Sequence, residues 1–540
     1  MSTKRNHIIS IIVAVILSFI MNKSHAAWLT WVNASPSQKS LAAQLNISVY
    51  WTLDNGFFAQ LDDAQIKDLR TRGFRTEMLD AQISPGEYFL VFKVGLGKDS
   101  YPSIYLWENE HMRLVRMDES KALAAKASGY EMARLPEAPH PLKITEPTGD
   151  IAVPAIDTTI QRLVGMVSQP NLGQTILDLQ NFNTRYTYSP RCDSAARYLY
   201  QRFVNMGLST TYDVYRLGND TCYNVVATYP GQVIPESIVI ACGHFDSYSN
   251  QPYVRAPGAD DDASGVAATL EIARVLSTAR FRWTIKYLAF SGEEQWMKGS
   301  THWVDSVAVP QNLKIYGVYN LDMIGYTGTP DTSLLYVTPN TPSRPLANLA
   351  ESVNVQYNIG LHVSNYLDED AAGDHTPFWQ RGFKAVFVIE DSEYGIWNGS
   401  NPHYHTTHDT LGTLRMSLVR RATQLVVACL ATLAKPIIGQ ELSENSTNLQ
   451  TTQSLTIKSN PMRQRCLITY PQQTDNKYEL KIFDAAGRLI KQWDYQTMRL
   501  SDQIIWSGDD DSGRKLPAGV YFVRFISRRY KAQAKLIVLE

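Results

Sequence analysis

The sequence is short of cysteine, balanced in charge and without a long apolar run, and each shortage removes a class of function. Five cysteines occur in 540 residues, none at the spacing of a CxxC pair, so a cysteine-type zinc site is not expected. Lysine and arginine number 51 against 52 aspartates and glutamates. Without a basic field, nucleic acid has no electrostatic foothold. The apolar runs Ile8–Ile20 and Val426–Ala434 are both too short to cross a bilayer as helices, so no integral membrane span is expected. No long internal repeat is visible. What remains is ordinary globular composition, 44% apolar and 19% charged, which excludes a disordered or fibrous chain. At about 150 residues per domain the length corresponds to three or four domains.

Residues 1–26 read as a secretory signal peptide rather than as part of the fold. Lys4 and Arg5 form a charged start, Ile8–Ile20 an apolar middle, and Ser24-His25-Ala26 supplies small residues where a signal peptidase reads. Export points to a secreted or cell-surface location and permits disulfides. Cys192 and Cys222, each preceded by polar turn residues, are expected to pair. Cys242 in an apolar strand and Cys429 in an apolar helix read as buried thiols.

Four further segments follow. Residues 27–150 mix short strands, such as Tyr88–Val94 and Ser103–Trp107, with turns, and end in a proline-rich stretch. They are expected to form a small N-terminal domain or a propeptide. Residues 155–436 alternate apolar strands with amphipathic helices, the pattern of an α/β domain with a mostly parallel sheet. Ser237–Cys242, Thr284–Phe290, Ile315–Leu321 and Lys384–Ile389 read as buried strands, and Ala263–Leu276 and Leu414–Lys435 as helices. Residues 437–452 are a polar linker without periodicity. Residues 453–540, where Tyr478–Phe483 and Gly519–Phe525 alternate around turns, read as a small Ig-like β-sandwich.

The histidines and acids are concentrated at strand ends in the α/β segment. His244 follows Ala241-Cys242-Gly243, Glu293-Glu294 follows Leu288-Ala289-Phe290 after two residues, and Asp322 follows Tyr319-Asn320-Leu321. Open α/β sheets bind ligands beyond the carboxyl ends of their strands. Three strands therefore deliver His, Glu and Asp to one edge, which suits a metal site of nitrogen and oxygen donors. Each element has a plainer reading by itself. His244 and Asp246 could form a surface hydrogen bond, one of Asp260-Asp261-Asp262 could cap the following helix, and Glu293-Glu294 could be a solvated pair. Three adjacent like charges, however, repel unless a cation is present, and a buried Asp322 without a partner would be costly. His403, His405 and His408 crowd one further loop. The joint pattern favours the metal site.

These stretches resemble the secreted di-zinc aminopeptidase family of bacterial leucyl aminopeptidases, in the clan that includes glutamate carboxypeptidase and glutaminyl cyclase. The matching residues are His244-Phe245-Asp246-Ser247, Pro257 to Gly265, Ser291-Gly292-Glu293-Glu294, Asn320-Leu321-Asp322-Met323 and His405-Thr406-Thr407. The resemblance implies a zinc exopeptidase fold and two zinc ions. Asp261 would bridge them, His244 and Asp322 would complete one, and Glu294 and His405 the other. Asp246 would support His244. Glu293 would be the general base for a metal-bridging hydroxide that attacks the N-terminal peptide bond of a peptide with a free amino terminus. The spacing alone does not say which glutamate binds metal.

Two departures stand out. Relatives place an oxyanion-stabilising tyrosine shortly before an Asp-His pair; here Asp374-His375 is present, but the tyrosine's position holds Asp370, leaving Tyr366 and Tyr394 as candidates. The cysteine pair of some relatives is absent as well. At the other end, Phe483 to Arg488, Trp506 to Gly513 and Pro517 to Tyr521 resemble the small Ig-like domains that close many exported bacterial proteins, which implies contact with an export machinery or surface anchoring. Competing readings are another exopeptidase or a glutaminyl cyclase of the clan, and a non-catalytic receptor-like module. The last two fit poorly with a full set of two-metal ligands.

Overall fold

The computed structural model describes residues 27–539 apart from 93–102, 129, 131, 145–148, 153–154, 329–332, 368–371, 391–400, 438–454, 459–460, 471–477, 485–486, 495–502 and 528–530. The expected signal peptide and nearly all of the expected linker lie outside the described residues.

Residues 27–142 fold into two antiparallel sheets. Five strands lie in the order Arg75–Asp80, Ala27–Asn33, Gly56–Asp62, Ser48–Leu53, His140–Pro141, and four in the order Ile104–Glu108, Met112–Arg116, Tyr88–Phe92, Met132–Arg134. Side chains from both sheets, including Trp31, Phe58, Tyr88, Leu90 and Leu114, share one core.

The α/β region is built on an eight-stranded mixed sheet. Its strands are β1 (Ser209–Leu217), β2 (Asp220–Tyr229), β3 (Ile234–His244), β4 (Trp283–Phe290), β5 (Lys314–Leu321), β6 (Leu334–Pro339), β7 (His362–Ser364) and β8 (Ala385–Ile389). They lie in the order β1-β2-β4-β3-β5-β8-β6-β7. The central four are parallel, while β1, β2 and β6 run antiparallel to their inner neighbours. The central strands read as continuous apolar runs because both sheet faces are covered. Along β3, Val239 and Ala241 enter one core, and Ile238, Ile240 and Cys242 enter the other, the two-residue alternation of a strand.

The helices are α1 (Thr158–Gly165), α2 (Gln169–Gln180), α3 (Pro190–Asn205), α4 (Ala263–Leu276), α5 (Lys298–Trp303), α6 (Arg344–Gln356), α7 (Thr376–Gln380) and α8 (Met416–Ala434). Helix α8 is long and apolar enough to cross a membrane. It is instead a core helix, buried over most of its length and packed on α1, α2, α4 and α6.

Among the described C-terminal residues, a three-stranded and a four-stranded sheet enclose a core that includes Ile468, Leu480, Ile482, Trp506, Val523 and Phe525, the two-layer arrangement of a sandwich.

The expected Cys192–Cys222 bridge is not formed: all five cysteines are free and buried. Cys192 and Cys222 line the same narrow pocket. Burial pushes the Cys222 thiol up to about 11 and the Cys192 thiol well above its ordinary value. Both therefore stay protonated, whereas disulfide exchange needs a thiolate.

Candidate metal centre

Three parallel strands end level with one another at the site. In the β3–β4 register His244 faces Phe290, and in the β3–β5 register Cys242 faces Asn320. His244 thus closes β3, the Glu293-Glu294 turn leaves β4, and Asp322 directly follows β5. The Asp322 amide is held by the Val388 carbonyl at 3.1 Å, which ties that ligand's backbone to β8.

The aspartate triplet lies across these ends, and its members divide the work. Asp262 caps α4: its Oδ1 accepts from the Gly265 amide at 2.7 Å and its Oδ2 from the His244 amide at 3.1 Å. Asp260 Oδ1 accepts from the Gly325 amide at 2.9 Å. Only the middle residue, Asp261, points its carboxylate at the histidines. The Asp261–Asp262 peptide is cis. The turn tolerates no bulk, since a Cβ on Gly265 would lie 2.0 Å from the Leu321 carbonyl oxygen.

Two donor groups meet at Asp261. His244 Nε2 lies 3.1 Å from Asp261 Oδ1 and 3.6 Å from Asp322 Oδ1. His405 Nε2 lies 3.1 Å from Asp261 Oδ2 and 3.1 Å from Glu294 Oε2. Within each group the offered donor atoms fall within 4.8 Å of one another. One oxygen of Asp261 thus faces each group. Such nitrogen-and-oxygen sets, converging in a buried cleft, fit two divalent cations such as zinc.

The electrostatics fit as well. Burial would raise Asp261, but hydrogen bonds from His244 and His405 outweigh it and hold its carboxyl well below the usual range. Burial would lower His405, but Glu294 and Asp261 carry it to about 10. His244 is likewise raised well above its ordinary value by Asp322, Asp246 and Asp261 against burial. Carboxylates are crowded here with imidazolium as their main counter-charge, and a metal would replace that proton-borne charge.

Asp246 lies beneath both groups. Its side chain is 3.5 Å from His244 Nδ1, and its backbone oxygen is closer, at 3.2 Å. Asp246 also accepts from the Glu293 and Glu294 amides, each at 3.2 Å, and from the Thr187 hydroxyl at 2.7 Å. It therefore fixes the whole glutamate turn. Glu293 belongs to neither donor group. It lines the cavity beside them, and burial raises its carboxyl well above the usual range, with His244 and Lys126 opposing.

Other expected residues fall outside the centre. His408 is exposed. The His403 ring packs edge-on to Tyr326, with centroids 5.9 Å apart. His375 is in neither donor group and is stacked on Phe387 at 4.5 Å. Tyr366 is 60% exposed, whereas Asp370 and Tyr394 lie outside the described residues. Tyr404 does line the cavity and stacks on His405 at 3.8 Å.

Several supporting residues are not singled out by the sequence reading. Asp409 accepts from the Asp260 and Asp261 amides at 2.8 and 3.1 Å. Asn401 donates to Asp260 and to Glu390. Arg185, fully buried, donates to the carbonyls of Leu179, Phe245, Pro257 and Gly258 and clamps the loop leading to the triplet. Asp409, four residues after His405, was the most legible of these. Arg185 stands in an unremarkable Asn-Thr-Arg-Tyr stretch.

Known proteins resemble two parts of this chain. Residues 224–430 match peptidase family M28, and residues 456–539 match the secretion system C-terminal sorting domain. A probable zinc metalloprotease of Phaeosphaeria nodorum is 28% identical over 303 residues, 44% of this chain and 61% of that protein. Aminopeptidase YwaD of Bacillus subtilis is 31% identical over 212 residues, 39% of this chain and 44% of its own length. The chain thus spans less than two thirds of either relative. Among solved structures, the LapA aminopeptidase of Legionella pneumophila has a TM-score of 0.52 at 22% identity, covering 65% of this chain and 99% of that one; this likeness concerns the fold. The α/β region of this chain is thus similar to peptidase family M28, and its C-terminal region to the secretion system C-terminal sorting domain.

Proposed function

We propose that this chain is an exported zinc aminopeptidase that hydrolyses the N-terminal peptide bond of peptides with a free amino terminus. The observation that carries the reading is the pair of donor groups sharing Asp261. In it, His244 and Asp322 would hold one zinc ion and Glu294 and His405 a second, with Asp261 common to both and Asp246 as support. Zinc bound there would make water more acidic and polarise a carbonyl.

The chain's own residues then handle the proton. Glu293, outside both donor groups, acts in its ionised form and takes a proton from the attacking water, and the burial that raises its carboxyl makes that carboxylate the stronger base. The water oxygen bonds to the scissile carbonyl carbon. As the carbon–nitrogen bond breaks, Glu293 passes the proton to the leaving amine. The products are a free amino acid and a peptide shortened by one residue. The acidic groups around Asp261 and Glu294 suit a substrate's α-ammonium.

Residues 1–26 serve as the signal peptide in this reading, and 27–150, 155–436 and 453–540 are separate domains joined in part by a 437–452 linker. The last of these hands the protein to an export machinery. The test is a paired assay of leucyl anilide and its N-acetyl form, with and without chelator. The expected result is chelator-sensitive cleavage of the free-amine substrate alone. Cleavage of both substrates by zinc-loaded protein contradicts the reading, as does cleavage of neither after residues 27–150 have been removed. Glu293→Ala should keep its zinc while losing about 10²–10⁴-fold in rate. A fully active, metal-retaining variant would remove Glu293 from the mechanism.

A further inference from the structure

Beside His405 lies a cluster of four tyrosines that the proposed chemistry does not use. Tyr186 is its hub. The Tyr186 ring centroid lies 5.5 Å from that of Tyr188, 5.9 Å from that of Tyr248 and 4.9 Å from that of Tyr253. Tyr248 continues inward and meets the His405 ring edge-on at 5.2 Å. Aromatic contacts therefore run unbroken from a proposed metal ligand to the surface. There Tyr253 and its neighbour Val254 are each 65% exposed, so residues 27–142 leave them uncovered.

The exposed end is held by its backbone. The Thr184 hydroxyl donates to the Pro252 carbonyl at 2.6 Å, and the Asn183 side-chain amide to the Val254 carbonyl at 2.7 Å. The Ser249 hydroxyl closes the loop on the Arg255 carbonyl at 2.6 Å. Two more bonds tie the loop to the segment that carries His405. The Asn250 amide donates to the His405 carbonyl at 3.1 Å, and Arg255 Nε to the Thr407 carbonyl at 3.2 Å. A hydrogen-bonded loop thus presents two adjacent large side chains to water, in a place continuous with the metal centre. Covering such a pair is favourable, and tyrosine gives much contact area for little lost side-chain freedom. Burial raises the Tyr186, Tyr188 and Tyr248 phenols, so these three are uncharged near neutral pH and keep their O–H donors.

We propose that the tyrosine cluster is an extended substrate site, which takes the part of a peptide beyond the scissile bond and receives an aromatic side chain on Tyr253 and Val254. The inference rests on the aminopeptidase reading above and adds the class of peptide preferred. An aminopeptidase holds the first residue at the metal centre, so what extends outward is the chain that follows. Ring-to-ring steps of 5.2, 5.9 and 4.9 Å place Tyr253 at most about 16 Å from His405, which an extended peptide spans in about five residues. The favoured substrate is therefore a peptide of about that length or more, with an aromatic residue at its far end. Dipeptides fall short of Tyr253.

The test uses zinc-loaded full-length protein, unmodified and as Tyr253→Ala, with the peptides Leu-Gly-Gly-Gly-Phe-Gly and Leu-Gly-Gly-Gly-Ala-Gly. Leucine release gives kcat/KM, and saturation-transfer NMR of the peptide protons reports binding without hydrolysis. Unmodified protein should favour the Phe peptide about tenfold, chiefly through KM, and should saturate its phenyl protons. Tyr253→Ala should bring the two peptides within about twofold and lose the phenyl signal. Both peptides are compared on the same protein, so a poorly folded variant lowers both rates and leaves their ratio. With Phe moved next to the leucine, the Tyr253 dependence should disappear.

Absent phenyl saturation, equal use of the two peptides by unmodified protein, or a preference that Tyr253→Ala leaves intact each overturns the inference. Phenyl saturation that depends on Tyr253 but comes without hydrolysis, even after residues 27–150 have been removed, upholds the tyrosine site and sinks the aminopeptidase reading. Hydrolysis indifferent to Tyr253 does the reverse, so the two fail separately.

Discussion

The two donor groups that share Asp261 are built on different ground. His244 and Asp322 stand at the ends of adjacent central strands, their backbone amides held by Asp262 and by the Val388 carbonyl. Glu294 and His405 stand on loops. His405 has φ of 53°, and the turn carrying Glu294 runs into the left-handed Trp296 and Met297. Lys126 touches the loop-borne group at Glu294. The sheet thus carries one half-site and the loops the other.

The largest effect should come from breaking the link between the halves. Asp261→Asn removes the shared charge, and we expect elemental analysis to find both zinc ions lost, with hydrolysis down by at least about 10³-fold. A variant that keeps one tightly bound zinc would show that the strand-borne group stands by itself, and would sharpen the contrast. Asp246→Ala acts through both halves, loosening the His244 ring and the Glu293-Glu294 backbone together. Lost outer support of this kind typically costs about 10–100-fold in metal affinity, readable by chelator competition. An unchanged affinity would remove Asp246 from the account.

The smallest effect is one of pH. His405 in the loop-borne group is raised from 6.5 to about 10, so in metal-free protein its protonated form is bound more tightly in the folded state. That contribution is fully present below pH 6.5 and is lost as pH rises toward about 10. Urea melts of the metal-free chain should show stability falling across this window from the His405 contribution. Zinc must displace the same proton, so its affinity should rise with pH. Zinc binding that weakens from pH 6.5 to 8 would contradict the protonation assigned to His405.

How much was legible in the sequence follows the same divide. Strand ends were readable because a parallel strand buried on both faces is an apolar run with a sharp edge. The run ending at Leu321 delivered Asp322, and Ala263–Leu276 appeared as a helix with those bounds. The five donor residues were legible only jointly, from their recurrence at strand ends and their resemblance to a known pattern. Residues that act across long sequence distances left no local mark. Arg185 clamps a loop more than seventy residues away, and Lys126 reaches Glu294 from a helix 168 residues earlier in the chain. The expected Cys192–Cys222 bridge failed for a related reason. Turn residues beside each cysteine suggested accessible thiols, but both side chains turn inward and stay protonated.

The central claim is that two metal ions flank Asp261. The most direct measurement is anomalous diffraction at the zinc edge from crystals of full-length Lys126→Met, where no ammonium contends for Glu294. Two peaks are expected, one touching His244 and Asp322 and one touching Glu294 and His405, with Asp261 between them. A single peak, or zinc held by other residues, would contradict the account.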